Sequence, residues 1–351
     1  MTTKLHRGAY FGDIHFGRKA NSIVHNQDCI NYITWFCEQV QENNCDYICF
    51  LGDWNENRSA LNIHTLKYTY EGAKMIDNLG LPVYFLLGNH DLYYRNSRDV
   101  HSVIHFDEFK NFNIIDTPTV VEDILFCPYL FHEEYPSLSD YLDVPFWAGH
   151  FEFKGFIITG YNITMPTGPD ASNFRKPDHI VSGHFHKRQI RDNVVYIGNT
   201  FPMDFGDAGD TERGMMVYDH HEDSMWFENW DACPRYTKVL LSDLVEDRDT
   251  RKQVLVPNAR VKCLVDIQID FDESNYLQQK FTDDYHLREF TLEETPELRT
   301  VLSETETDIN WDETSLETVD DLVIHMLQGI SSDRVDNNLL IDLYKDIKTN
   351  D

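Results

Sequence analysis

The chain has 351 residues, 41% hydrophobic and 13% aromatic, enough for a packed interior and long for a single core. Its net charge of −30 argues against a broad basic surface that grips DNA unaided. No apolar stretch approaches bilayer-spanning length, and the opening MTTKLHRGAYFGDIH leaves no room for a cleavable signal, so a cytoplasmic protein with no membrane contact is expected. Seven cysteines (Cys29, Cys37, Cys45, Cys49, Cys127, Cys233, Cys263) lack CxxC spacing and lie mostly in apolar runs, which reads as buried free thiols in a reducing compartment.

Residues 5–11 read as a strand that runs into Asp13-Ile14-His15. Over 27–41, Cys29, Ile30, Ile33, Phe36, Cys37 and Val40 recur at three- and four-residue steps, an amphipathic helix. Residues 46–51 (DYICFL) form a buried-type strand ending in Gly52-Asp53. A helix follows over about 61–79, then a strand over 82–87 (PVYFLL) that ends in Gly88-Asn89-His90-Asp91. This alternation predicts a layered α/β sheet with its site at the strand ends. From about 110 to 230 the pattern turns mainly to short strands, expected as a second sheet packed on the first. Two of them end in Gly149-His150 and Gly183-His184-Phe185-His186.

A βαβ-like block over 259–291 predicts a small accessory domain. The expected divisions are a main domain over 1–240, a small capping domain over 241–295, an acidic linker over 296–313 and terminal helices over 314–351. Residues 271–351 hold 21 acidic against 6 basic side chains, half of the total charge excess. Thr314 and Glu317 suit a capping box, and Leu316, Val319, Leu322, Val323, Met326, Leu327 and Ile330 follow at helical spacing. Val335, Leu339, Leu340, Leu343 and Ile347 share one face of a second helix. The pair reads as a helical hairpin docking on a partner; packing on its own domain is the alternative.

The five polar motifs gather carboxylates, imidazoles and one amide, donors suited to Mn²⁺, Fe²⁺ or Zn²⁺. Two such ions about 3.5–4 Å apart can clamp both oxygens of a phosphoryl transfer. The ordered pattern DxH…GD…GNHD…GH…GHxH, over about residues 9–190, resembles the calcineurin-like metallophosphoesterases. What the resemblance implies is a two-sheet α/β sandwich flanked by helices. One metal would be held by Asp13, His15, Asp53 and His186, the other by Asp53, Asn89, His150 and His184, with Asp53 bridging. A hydroxide shared by the ions would be the nucleophile. His90 would act on the scissile phosphate without ligating, and His90, Asp91 and Glu56 make up the expected catalytic group. Glu56, three residues after the bridging aspartate, could orient His90 through its carboxylate or be a surface glutamate of the polar run Asn55–Arg58.

Within that superfamily the chain more closely resembles the SbcD-type nucleases of double-strand-break repair, and among them the recombination endonuclease subunits of T-even-like bacteriophages. The Tyr196-Ile197-Gly198-Asn199 turn and the Phe205-Gly206 pair after the last motif carry this likeness, although family members tend to have Ser or Thr at position 199. It implies a Mn²⁺-dependent DNA exonuclease and endonuclease, dimeric through helices such as that near 61–79. Its terminal helices would bind an SbcC-type, SMC-like ATPase through Leu316, Val319, Leu322, Val323, Met326, Val335, Leu339, Leu340 and Leu343. Lys187 and Arg188, after the last motif, could touch phosphate, with an exposed loop pair as the competing and favoured reading. A phosphoprotein phosphatase or cyclic-nucleotide phosphodiesterase is the alternative enzyme, but the Asp-Arg-Gly run typical of the phosphatases is missing from Asp53-Trp54-Asn55-Glu56-Asn57-Arg58. A non-catalytic scaffold would have lost ligands that are all present here.

Overall fold

The computed structural model describes residues 5–158 and 163–295. The linker expected over 296–313, the hairpin over 314–351 and its nine partner-facing residues, Leu316 to Leu343, lie outside the described residues.

Parallel strands β1 (Arg7–Phe11), β2 (Tyr47–Phe50), β3 (Val83–Leu86) and β4 (Phe112–Ile115) form the centre of the first sheet. Helices α1 (Ile23–Glu42) and α2 (Ile63–Asp77) connect them. The second sheet runs in the order β5 (Thr119–Val121), β6 (Ile124–Cys127), β7 (Phe146–Gly149), β8 (His179–Ser182), β10 (Val194–Tyr196) and β9 (Gln189–Arg191). Strands β11 (Gly214–Asp219) and β12 (Ser224–Asn229) then return to the first sheet, antiparallel beside β1. The expectation that 110–230 makes a single second sheet is therefore corrected. Apolar runs buried on both faces carry no mark of which sheet they join, so β4, β11 and β12 were not separable by pattern.

Alternation along each central strand builds two core layers. Ala9, Phe11, Ile48, Phe50, Val83 and Phe85 face the helices. Tyr10, Tyr47, Cys49, Tyr84 and Leu86 face the second sheet, where they meet Phe126, Phe146, Ala148 and Val181. Tyr84 stacks on Phe126 with ring centroids 4.0 Å apart, and the Tyr10 and Tyr47 hydroxyls hydrogen-bond to each other. A third layer, including Trp147, Phe151, Ile180 and Tyr196, lies among the segments flanking the second sheet. All seven cysteines are free, and all but Cys37 are buried. Among the described residues, no helix is long and apolar enough to cross a membrane.

A three-stranded parallel sheet follows: β13 (Tyr236–Leu240), β14 (Arg260–Val265) and β15 (Glu289–Glu294). Helices α3 (Leu241–Glu246) and α4 (Arg248–Val254) link the first pair, and α5 (Phe271–Tyr285) links the second. Asp270 and Glu273 form the capping box that starts α5. The small sheet thus takes in residues 236–240, which the sequence reading assigned to the main domain. Arg288 fastens it to α1 through Asp28, at 2.7 Å.

Candidate metal centre

Parallel pairing aligns the carboxyl ends of β1, β2 and β3, so their three motif loops leave one edge together. The first two loops continue the ladder, with Asp13 N donating to Gly52 O at 2.9 Å and Phe16 N to Trp54 O at 2.8 Å. In the other sheet Gly149 pairs with Ser182, which brings His150 and His184 to the same edge. The sheets are tied there by the Asp13 carboxylate, which accepts from His184 N at 3.0 Å. Gly52 has φ +99°, and a Cβ there would collide with His150 and come within 2.8 Å of Gly88 Cα. Asp13, His15, Asp53 and His184 also have positive φ, so four of the expected ligands sit in a backbone region that non-glycine residues seldom adopt.

Two groups of donors converge. Asp13, His15 and His186 form one, and Asp53, His150 and His184 the other, each with ligand atoms within 4.8 Å of one another; His15 also belongs to a third such group, with Glu56 and His90. Asp53 Oδ2 lies 3.9 Å from His15 Nε2 and 3.5 Å from His150 Nε2, between the two. Outer contacts orient the rings. His150 Nδ1 donates to Leu51 O at 2.6 Å, His184 Nε2 faces Glu152 Oε2 at 3.2 Å, and His15 Nδ1 faces Glu56 Oε2 at 2.8 Å. With its proton on the outer nitrogen, each ring aims a lone pair inward. His150 Nε2, His184 Nδ1 and Asn89 Oδ1 then lie 3.0–3.2 Å apart, and His15 Nε2 lies 3.1 Å from His186 Nε2. Such gatherings of acceptors cannot satisfy one another, and a divalent cation in each group would satisfy them.

The electrostatics agree. Burial holds the imidazoles of His15, His184 and His186 below their ordinary range, His186 well below, and so in the neutral form that ligates. Burial, joined by the nearby Asp53 and Asp91 carboxylates, drives the Asp13 carboxyl well above the usual carboxylate range, the cost of gathering negative charge in a dry site. His150 is the exception: burial acts downward, but the Asp53 carboxylate overrides it and pushes the imidazole up to about 9, so a bound ion would have to displace the inner proton of this ring before its lone pair could ligate. The site draws in positive charge.

Three expectations are corrected. The Glu56 carboxylate lies within 4.8 Å of a His90 ring nitrogen but makes no hydrogen bond to it among the described residues; its close contacts are His15 and, at 3.5 Å, Arg18, which also pairs with Asp204. His90 is held by the Glu56 main chain instead, with Nδ1 donating to Glu56 O at 2.8 Å. Asp91, expected among the catalytic residues, is fully buried behind the loops. Its carboxylate accepts from Asp53 N, Trp54 N, Asn55 N and Gly88 N at 2.9–3.3 Å. Arg188 is turned away from the site, donating to Asn229 Oδ1 at 2.8 Å and lying over the Phe227 ring. Asn199 is buried, with its side chain near Asp207.

Sequence reasoning missed Glu152, Arg18 and Tyr129. The spacing His150-x-Glu152 was an available signal, since alternate residues of extended chain share a side. The Tyr129 ring lies 5.9 Å from that of His184, and no sequence pattern marks it.

A family profile described as calcineurin-like phosphoesterase matches residues 7–188. Exonuclease subunit 1 of Enterobacteria phage T4 is 26% identical over 218 residues, 59% of this chain. The chain spans 63% of that relative's length. Among solved structures, Pseudomonas putida nuclease MPE aligns with TM-score 0.32 and 15% identity over 63% of this chain and 87% of its own. A Danio rerio dimetal phosphatase aligns with TM-score 0.39 and 10% identity over 65% and 96%.

Proposed function

The chain belongs to the calcineurin-like phosphoesterases, and from that premise we propose that it is a Mn²⁺-dependent nuclease hydrolysing DNA phosphodiester bonds. The observation that carries this reading is the Asp53 carboxylate lying between two imidazole groups whose lone pairs converge. Asp13, His15, Asp53 and His186 would hold one ion, and Asp53, Asn89, His150 and His184 the other. When bound, the ions supply Lewis-acid charge to the phosphoryl oxygens and lower the pKa of water towards neutrality. Asp53 N–H, Asp91 and Gly88 keep the second and third loops in register around that site. His90, its Nδ1 proton committed to Glu56 O, presents Nε2 as the atom that stabilises the phosphate charge or gives a proton to the departing oxygen.

The T4 exonuclease subunit supports DNA as substrate and a nuclease complex as setting. The terminal helices, read from their apolar periodicity, would attach an SbcC-type ATPase that supplies much of the DNA-binding surface. A repair or recombination role in the cytoplasm, in a phage-infected host if the chain is phage-encoded, follows from that reading. A homodimer through α2 is supported by an exposed face of Ile63, Leu66 and Tyr70, with Ile63 86% exposed.

Cleavage of end-labelled duplex DNA in Mn²⁺, with a phosphopeptide and a cyclic nucleotide as controls, tests the reading. Turnover of either control with intact DNA would replace it by a phosphatase or cyclic phosphodiesterase.

A further inference from the structure

A cleft of about 310 Å³ opens beside the metal centre, lined by Arg58, Asn89, Tyr94, Arg95, Tyr129 and Phe131. Asn89 belongs to the ligand set, and the Tyr129 ring lies 6.1 and 5.9 Å from those of His150 and His184, so the cleft begins where the ligands end. Its walls are fixed. Arg98 donates to Tyr129 O at 3.0 Å, pairs with Glu134 and lies over the Phe131 ring at 4.6 Å. The loop carrying Tyr94 and Arg95 is closed by Tyr93 N donating to Val100 O at 2.9 Å.

The charges of this cleft are uncommitted. Among the described residues the Arg58 and Arg95 guanidinium groups form no ion pair or hydrogen bond. Other arginines around the site are spent on protein partners: Arg18 on Glu56 and Asp204, Arg98 on Glu134, and Arg213 on Asp207 and Asp210. In a chain of net charge −30, two free guanidinium groups beside a phosphoryl site are a specific provision for an anion. Tyr94 meets Tyr93 edge to face and remains 46% exposed, an aromatic surface at the mouth.

We propose that this cleft is the subsite for the nucleotide next to the scissile phosphate, and that it takes this nucleotide unstacked, from a single strand or a frayed end. Arg58 and Arg95 hold the neighbouring phosphate, and Tyr94 stacks on the base. The volume lies at the lower end of small-ligand sites, which suits one nucleotide and excludes a duplex. The inference rests on the nuclease reading above.

The test compares the full chain with the double variant Arg58→Gln/Arg95→Gln and with Tyr94→Ala. Substrates are a single-stranded oligonucleotide and bis(p-nitrophenyl) phosphate, a diester with no neighbouring phosphate. The double variant should lower the ratio of kcat/KM for oligonucleotide over small diester at least about tenfold, mainly through KM. Tyr94→Ala should lower it about tenfold, and an abasic residue beside the cleavage point should remove that effect. Anisotropy of a labelled oligonucleotide, in a slow His90→Asn background with Mn²⁺, gives an independent readout. The slope of log affinity against log salt should fall by about 0.7 for each arginine removed. Ratios within twofold of the parent, or an unchanged slope, overturn the subsite while leaving a nuclease. A parent that hydrolyses the small diester but neither binds nor cleaves the oligonucleotide overturns both.

Discussion

Replacing Asp91 by Asn changes one atom, yet the structure assigns it a large cost. Oδ1 accepts from Trp54 N at 3.0 Å and Asn55 N at 3.3 Å, and Oδ2 from Asp53 N at 3.0 Å and Gly88 N at 2.9 Å. An Asn side chain keeps one acceptor and turns an NH₂ group towards the other two donors. Two buried backbone N–H groups then go unpaired at about 1–3 kcal/mol each, a loss of roughly 2–6 kcal/mol. Against a typical total of about 5–15 kcal/mol this is severe. Burial and the Asp53 carboxylate push the Asp91 carboxyl up to about 7, so the comparison belongs at pH 8, where Asp91 is the all-acceptor anion. The Asn variant escapes that anion's repulsion by Asp53, which offsets part of the loss and puts the expected value at the low end of the range. Urea unfolding followed by tryptophan fluorescence gives the difference, with Trp54 adjoining the perturbed loop. The variant should also bind metal less tightly, because Asp53 and Asn89 lie on the two loops that Asp91 joins. A loss under about 1 kcal/mol, with metal content and turnover unchanged, would refute the clamp.

His90→Asn should cut turnover at least ~10²-fold with little change in metal content, and loss of metal measured by elemental analysis would make His90 a ligand instead. Glu56→Gln removes the carboxylate beside His15, and metal affinity measured by competition with a chelator should fall about 10–100-fold; an unchanged affinity would make Glu56 a partner of Arg18 alone. Deleting the residues after 310 should leave a folded enzyme that degrades DNA in Mn²⁺ but no longer co-purifies with an SbcC-type ATPase. Aggregation with loss of all activity would show instead that the helices complete the core.

The ligand-type residues were legible because each follows a short apolar strand, and strand ends gather on one edge of a parallel sheet. What sequence could not reveal were relations made through the main chain. Glu56 orients His90 by its carbonyl, an atom every residue possesses, so attention fell on its carboxylate. Leu51 fixes the His150 tautomer in the same way. Asp91 looked like a site residue because it adjoins His90, but the turn directs the two side chains to opposite sides. The share of β4, β11 and β12 in the first sheet depended on long-range pairing, and a buried strand looks alike in either sheet.

The loops that bear the ligands are joined by protein hydrogen bonds throughout, from Asp13 N to Gly52 O, from four N–H groups to Asp91, and from His184 N to the Asp13 carboxylate. Cage assembly is therefore completed by folding, and chelation should empty the protein without melting it, unlike a small zinc domain whose fold is bought with its metal. Such a cage exchanges its ions with whatever pool surrounds it. Nitrogen and oxygen donors follow the general affinity order, in which Zn²⁺ outcompetes Mn²⁺ at equal concentration. The ion carried by a purified sample should thus record the growth medium, and under the proposed Mn²⁺ reading cellular activity should follow the ratio of free Mn²⁺ to free Zn²⁺ as much as the amount of protein.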